Sequence, residues 1–65
     1  MSANNFILVT KKGKNYHAQE KDAETGDDLC FSAIGTLKDV IKASEIYQDE
    51  EPFGVEYGMR FDIWQ

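Results

Sequence analysis

The sequence predicts a small α+β domain with the element order β-β-β-α-β, and three observations support this fold class. Short β-like runs separated by turn residues fill the first half of the chain. One amphipathic helix pattern follows them, and a strictly alternating run comes last and supplies a fourth strand. With 65 residues the chain allows one domain, residues 1–65, and a thin core, because so short a chain buries only about 60% of its surface.

The first two strands are predicted to form a hairpin around Gly13. Residues 6–11 begin with four apolar side chains in succession, which is typical of a strand that has neighbours on both sides. The turn K-K-G-K-N follows, and residues 16–21 return antiparallel with one polar face. The first strand therefore belongs at the centre of the sheet.

The third strand and the helix meet at Gly35. Residues 29–34 (L-C-F-S-A-I) are almost entirely apolar, so we predict a buried strand in which Cys30 acts as a small apolar side chain. Thr36 is the predicted N-cap, because its oxygen is placed to accept a backbone N–H of the first helical turn. Pro52 ends the helix.

The last run, residues 53–63, alternates apolar and polar side chains and predicts one long strand. A right-handed crossover through the helix makes this strand parallel to the first. The result is a four-stranded mixed sheet of order 3-2-1-4 with one helix packed on one face. The predicted core consists of Phe6, Leu8, Phe31, Leu37, Val40, Ile41, Tyr47, Val55 and Phe61.

The charge of the chain is acidic and unevenly distributed. The net charge is −5, and residues 1–19 contain three lysines and no acid. This balance disfavours direct nucleic-acid binding and favours either a solubilising surface or a basic protein partner. The expected partner-binding residues are Asp27, Asp28, Asp49, Glu50 and Glu51. No long apolar run or signal-peptide pattern is present, so we expect a cytoplasmic protein with no membrane contact.

The sequence contains no pattern that predicts catalysis. His17 has no acid or nucleophile beside it, and Cys30 has no local base. The acidic loop 22–28 lacks the ligand spacing of a calcium loop. We therefore predict a non-catalytic interaction protein with no cofactor and no metal. The alternative is a small ligand-binding domain or enzyme subunit that uses His17 in three dimensions.

Self-association is a further expectation. One helix covers only one face of a four-stranded sheet, and the last run ends in aromatic residues. We expect a homodimer that forms by pairing of edge strands, with contacts from Tyr57, Phe61 and Trp64.

Two segments, G-K-N-Y-H-A (13–18) and C-F-S-A-I-G-T-L-K-D-V-I (30–41), give the chain a resemblance to HicB antitoxin domains over about residues 6–50. The resemblance implies a partial RNase H-like fold of the same element order. It also implies a protein that binds and restrains a nucleic-acid-acting partner. The family's Pro-x-Leu-Pro-Gly segment is here an acidic loop, Gly35 and Lys38 stand where acids are usual, and no DNA-binding segment follows. Operator binding and RNase H catalysis are therefore not expected.

Overall fold

The computed structural model describes residues 4–50 and 54–63 and confirms the predicted element order. The elements are β1 (Asn5–Lys12), β2 (Asn15–Asp22), β3 (Asp28–Gly35), α1 (Leu37–Glu50) and β4 (Met59–Asp62). The sheet has the order β3-β2-β1-β4. β1 pairs antiparallel with β2 and parallel with β4, and β2 pairs antiparallel with β3. The predicted mixed sheet of order 3-2-1-4 with one helix is therefore correct.

The β1–β2 hairpin closes through a two-residue loop at Gly13, as the sequence predicted. Lys12 pairs with Asn15 across the turn. Gly13 has a φ of +63°, and no other residue of this loop has a positive φ. A positive φ at the first loop position alone is typical of a type II′ turn, whose twist matches that of the flanking strands. The turn therefore fixes the register of the first two strands.

The helix begins where the sequence predicted. The Oγ1 of Thr36 accepts a hydrogen bond from the backbone N–H of Asp39 at 3.2 Å, which makes Thr36 the N-cap. Val40 and Ser44 are the buried residues of α1, and the Ser44 hydroxyl donates to the Val40 carbonyl at 2.7 Å. A polar side chain is thus accommodated against the sheet. Within the described ranges, no helix is long and apolar enough to cross a membrane.

The core lies between α1 and one face of the sheet, and it is small. Among the described residues, the buried hydrophobic side chains are Ile7, Val9, Ala18 and Val40. Around them pack the partly buried hydrophobic residues Tyr16, Phe31, Ala33, Leu37, Tyr47, Val55, Met59 and Ile63. The predictions for Phe31, Leu37, Val40, Tyr47 and Val55 are therefore correct.

The predicted core residues Phe6, Leu8 and Phe61 are corrected by the structure. Ile7 and Val9 face the helix, so the even-numbered residues of β1 lie on the opposite face of the sheet. Phe61 pairs with Val9 on the helix side, but β4 is an edge strand and the Phe61 side chain is 42% exposed. Ile41 is half-buried on α1 and does not join the core.

Two predicted strands also differ in the structure. The last strand has four residues rather than eleven, because Gly54 and Gly58 adopt positive φ angles (+68° and +67°) and a turn joins the Gly58 N–H to the Val55 carbonyl at 3.2 Å. β3 is not buried on both faces. It is an edge strand, and Ile34 on its outer face is 67% exposed.

Truncation of Val40 tests the helix face. We expect Val40→Ala to lower the free energy of unfolding by about 2 kcal/mol, because the side chain is only 1% exposed and packs in the core between the helix and the sheet. Chemical denaturation monitored by circular dichroism measures the change. Ile46→Ala is the matched control, since Ile46 is on the same helix but 47% exposed, and its effect should stay within about 0.5 kcal/mol. Equal losses in both variants would contradict the assigned face.

Candidate functional site

The directions of the strands and the helix place many acidic side chains at one end of the sheet. β1 begins, β2 ends and β3 begins at this end, and α1 runs back toward it from the Gly35 end of β3. The Tyr47 hydroxyl donates to Glu20 Oε1 at 2.9 Å, which places the last turn of the helix over the same end. We call this the acidic end; its carboxylates belong to Asp22, Glu24, Asp27, Asp28, Asp49, Glu50 and Glu56.

Asp22 shapes the loop between β2 and β3. Its Oδ1 accepts the backbone N–H of Glu24 at 2.8 Å and of Thr25 at 3.0 Å. The Thr25 Oγ1 in turn accepts the N–H of Asp27 at 3.2 Å. The N–H groups of Thr25 and Glu24 hold the pKa of Asp22 below its usual value, because they stabilise the charged form. Asp22 is therefore used within the fold.

Asp28 is also used within the fold. The Lys21 Nζ lies 2.6 Å from Asp28 Oδ1, and this hydrogen bond lowers the pKa of Asp28. By contrast, within the described part of the chain no hydrogen bond or ion pair engages the carboxylates of Glu24, Asp27, Asp49 and Glu50. These four charges are available to a binding partner.

The negative charges of the acidic end change the pKa of Tyr57. Glu56 and, more weakly, Glu24 raise the pKa of the Tyr57 phenol above its usual value, because the negative charges oppose formation of a phenolate. Tyr57 is 51% exposed in the turn before β4. An aromatic side chain therefore borders the acidic surface.

Beneath the acidic end lies a buried carboxylate, Glu20, which is only 4% exposed. Its Oε2 accepts from Asn5 Nδ2 at 2.6 Å, and its Oε1 accepts from the Tyr47 hydroxyl at 2.9 Å and from the backbone N–H of Phe31 at 3.3 Å. The rings of Phe31 and Tyr47 stack beside it with centroids 4.5 Å apart. The carboxylate thus joins β1, β3 and α1 to β2.

Asn5 extends this network to the segment before β4. Its Oδ1 accepts the N–H of Glu56 at 3.0 Å, and its backbone carbonyl accepts the N–H of Tyr57 at 3.0 Å. One asparagine therefore contacts the buried carboxylate through its amide nitrogen and the exposed turn through its oxygen atoms. The position of the turn depends on the buried network.

Glu20 also lies opposite an irregularity in β3. Gln19 pairs with Ser32 and Lys21 pairs with Asp28, so three residues of β3 face the single residue Glu20. The Gln19 Nε2 donates to the carbonyl oxygens of Leu29 at 3.0 Å and Phe31 at 3.1 Å, replacing ladder bonds that the bulge interrupts.

Cys30 lies within this bulge and is exposed. The prediction of a buried cysteine is therefore wrong. The physical reason is that the bulge lies on an edge strand, where no neighbouring strand covers it.

The opposite face of the sheet holds a shallow concavity of about 250 Å³ around His17. Its lining residues are Leu8, Thr10, Lys12, His17, Gln19, Lys21 and Asp28. This volume is smaller than the roughly 300 Å³ at which ligand pockets begin. Within the described residues, no group of three His, Cys, Asp or Glu side chains is placed to hold a metal ion.

The expected site residues fall into two groups in the structure. Asp27, Asp28, Asp49 and Glu50 lie at the acidic end, and Glu51 lies outside the described residues. Tyr57 and Phe61 are exposed, as a self-association surface requires, and Trp64 also lies outside the described residues. Their roles in partner binding and self-association stay predictions.

Sequence reasoning missed Glu20 and Asn5. The alternation Tyr16, Ala18, Glu20 along β2 places Glu20 on the core face and was the available signal.

Comparisons with family models, with curated proteins and with solved structures find no match to this chain. The resemblance to HicB antitoxin domains therefore stays a prediction.

Replacement of Glu20 by glutamine tests the buried network. Three hydrogen-bond donors reach the two oxygens of the Glu20 carboxylate. In glutamine one of these oxygens becomes an NH₂ group, so at least one of the three donors would lose its acceptor. We expect Glu20→Gln to lower the free energy of unfolding by about 2 kcal/mol, measured by urea denaturation. Glu24→Gln makes the same chemical change at an exposed loop position and should have almost no effect. A Glu20→Gln variant as stable as the parent protein would contradict this role.

Acidification tests Asp22 and Asp28. Both pKa values are lowered below 3.8 in the folded protein. Their stabilising effect is therefore complete above about pH 4 and is lost as pH falls through the lowered folded pKa values. We expect Asp22→Asn/Asp28→Asn to show a smaller fall in Tm than the parent protein between about pH 5 and pH 3. Asp27→Asn/Asp49→Asn is the control with the same charge change; an identical pH dependence in both variants would contradict the prediction.

Proposed function

We propose that this chain is a non-catalytic protein-interaction domain whose acidic end binds a basic protein. The observation that carries the proposal is the group of four unengaged carboxylates at one end of the sheet, on Glu24, Asp27, Asp49 and Glu50. The resemblance to HicB antitoxin domains suggests that the partner is a nucleic-acid-acting protein which the domain restrains. A cytoplasmic location is part of the proposal.

The electrostatics of the acidic end support binding of this kind. Carboxylates without internal partners form ion pairs with lysine and arginine without first breaking an existing contact. Each exposed pair contributes about 0.2–1 kcal/mol, and a patch of one sign also accelerates encounter with an opposite charge. We expect fast association that weakens as the salt concentration rises.

The alternative, a ligand-binding domain or enzyme subunit, is supported by the concavity around His17. That concavity is small and shallow, and its Asp28 carboxylate is already paired with Lys21. A general base works best with an acid or nucleophile held in hydrogen-bond reach, and within the described residues no hydrogen bond engages the His17 ring. Protein binding is therefore the better supported function.

The test starts with capture of a partner from the native host at low salt, followed by binding measurements on the purified partner. We expect a basic protein whose dissociation constant rises steeply with salt. Asp27→Asn/Glu50→Gln should weaken binding by about tenfold, since two exposed ion pairs are lost. Neither substitution touches a side-chain hydrogen bond of the fold.

The matched control is Asp39→Asn/Glu45→Gln, which removes one aspartate and one glutamate from exposed positions away from the acidic end and from the sheet face opposite the helix. Its affinity should stay within about twofold of the parent value. A partner that binds both double variants with the parent affinity would contradict the acidic-end mechanism. A small molecule that protects the parent protein, but not His17→Ala, against thermal unfolding would instead favour the alternative.

A further inference from the structure

None of the described elements covers the sheet face opposite the helix. This open face carries the half-buried side chains Phe6 and Leu8 on β1 and the exposed Ile34 on β3. The register places Leu8 in one row with Gln19, Ser32 and Arg60, and Thr10 in the next row with His17, Ile34 and Asp62. Three large apolar side chains therefore lie on a face that is otherwise polar, and β2 contributes the polar side chains His17 and Gln19 between those of β1 and Ile34.

The charges of the open face are nearly balanced, unlike those of the whole chain. Three cationic side chains (Lys12, Lys21 and Arg60) and two carboxylates (Asp28 and Asp62) lie on this face. The chain as a whole has a net charge of −5, so two copies repel one another over most of their surfaces. The open face is where a second copy meets little net repulsion.

We propose that the open face is the interface of a weak, two-fold symmetric homodimer in which the strands of the two copies run in opposite directions. The sequence had suggested self-association through the edge strand and Tyr57, Phe61 and Trp64. The open face is a different surface, and the proposal does not depend on the acidic end binding a partner.

The charges on the open face favour one orientation of the two copies. Two sheets pack face to face with strands aligned to within about 30°. A two-fold axis that runs across the strands, between the Leu8 row and the Thr10 row, exchanges these two rows. Arg60 then faces Asp62 of the second copy, and Asp62 faces its Arg60. An axis along the strands would instead place Arg60 over β3, and it would bring the two acidic ends together.

The area is sufficient for a weak dimer. Three strands of eight residues and one of four, about 4.8 Å apart and with about 3.3 Å per residue, give a face of about 440 Å². The two copies together bury about 900 Å², which is the size of weak, transient interfaces. A dissociation constant of about 10–100 μM is expected.

The contribution of Ile34 to the open face is tested by sedimentation equilibrium of the parent protein and two matched variants. The parent protein should approach the mass of two chains at several hundred micromolar, which is about ten times the expected dissociation constant. Ile34→Lys should weaken the dimer by at least tenfold, and its fold should be intact because Ile34 is 67% exposed. Ile46→Lys changes an exposed isoleucine on the helix and should dimerise like the parent protein.

Three outcomes would overturn the proposal. One is a parent protein that remains a single chain at every concentration. Another is a dimer that survives Ile34→Lys and is lost in Phe61→Lys, which would assign the interface to the β4 edge. The third is a monomer whose Ile34→Lys variant loses a captured protein partner, which would assign the open face to that partner.

The orientation is tested by mixing two charge variants. Arg60→Glu alone places like charges opposite each other, and so does Asp62→Arg alone, so each variant should be monomeric. In an equimolar mixture every changed side chain faces its opposite charge, so a heterodimer should form. Circular dichroism first checks that both variants are folded. A mixture that stays monomeric while both variants are folded and the parent protein dimerises would overturn the proposed orientation.

Discussion

The buried carboxylate of Glu20 is the interaction on which the arrangement of this domain depends. A carboxylate removed from water is costly unless hydrogen bonds replace its hydration. Here three donors do so, and they come from β1, β3 and α1. The charge can be accommodated only when all three elements are in place. In a domain with four buried hydrophobic side chains among its described residues, this polar group specifies an arrangement that the apolar core alone does not.

The same network links the interior to the surface. Asn5 binds Glu20 on one side and the N–H groups of Glu56 and Tyr57 on the other, so the turn before β4 is positioned from within. Across this end of the sheet, Asp22 and Asp28 hold the β2–β3 loop in place. Asp22 and Asp28, which form hydrogen bonds within the fold, thus lie beside the carboxylates that form none. Within the described residues, the carboxylates of Glu24, Asp27, Asp49 and Glu50 form no hydrogen bond or ion pair, and this is the basis of the proposed partner surface.

The sequence predicted the topology well because its strongest signals are local. The two-sided apolar run at residues 6–9 required a central strand, and Gly13 and Thr36 marked a turn and a helix start that the structure confirms. The same run is uniformly apolar, so alternation did not reveal that Ile7 and Val9 face the helix. Gly54 and Gly58 shortened the last strand through positive φ angles that a hydrophobic pattern does not record.

The candidate site divides in the same way. Exposure of the acids in loop 22–28 follows from local composition and was predictable. Burial of Glu20 was not, because its side-chain partners Asn5 and Tyr47 lie 15 and 27 residues away in sequence. The exposure of Cys30 likewise depends on a bulge set by pairing between strands. Features that rest on distant partners are those that the sequence alone leaves open.

The two proposed surfaces are compatible because they are oriented differently. The acidic end lies at one end of the strands, whereas the open face lies parallel to them. In the proposed dimer, whose strands run in opposite directions, the two acidic ends point away from each other. Dimerisation therefore adds little charge repulsion and leaves both acidic ends accessible. A dimer of this kind presents two separated acidic surfaces. Two sites on one particle bind a repeated or dimeric basic partner more tightly than one site does, because the second contact forms at a high effective concentration.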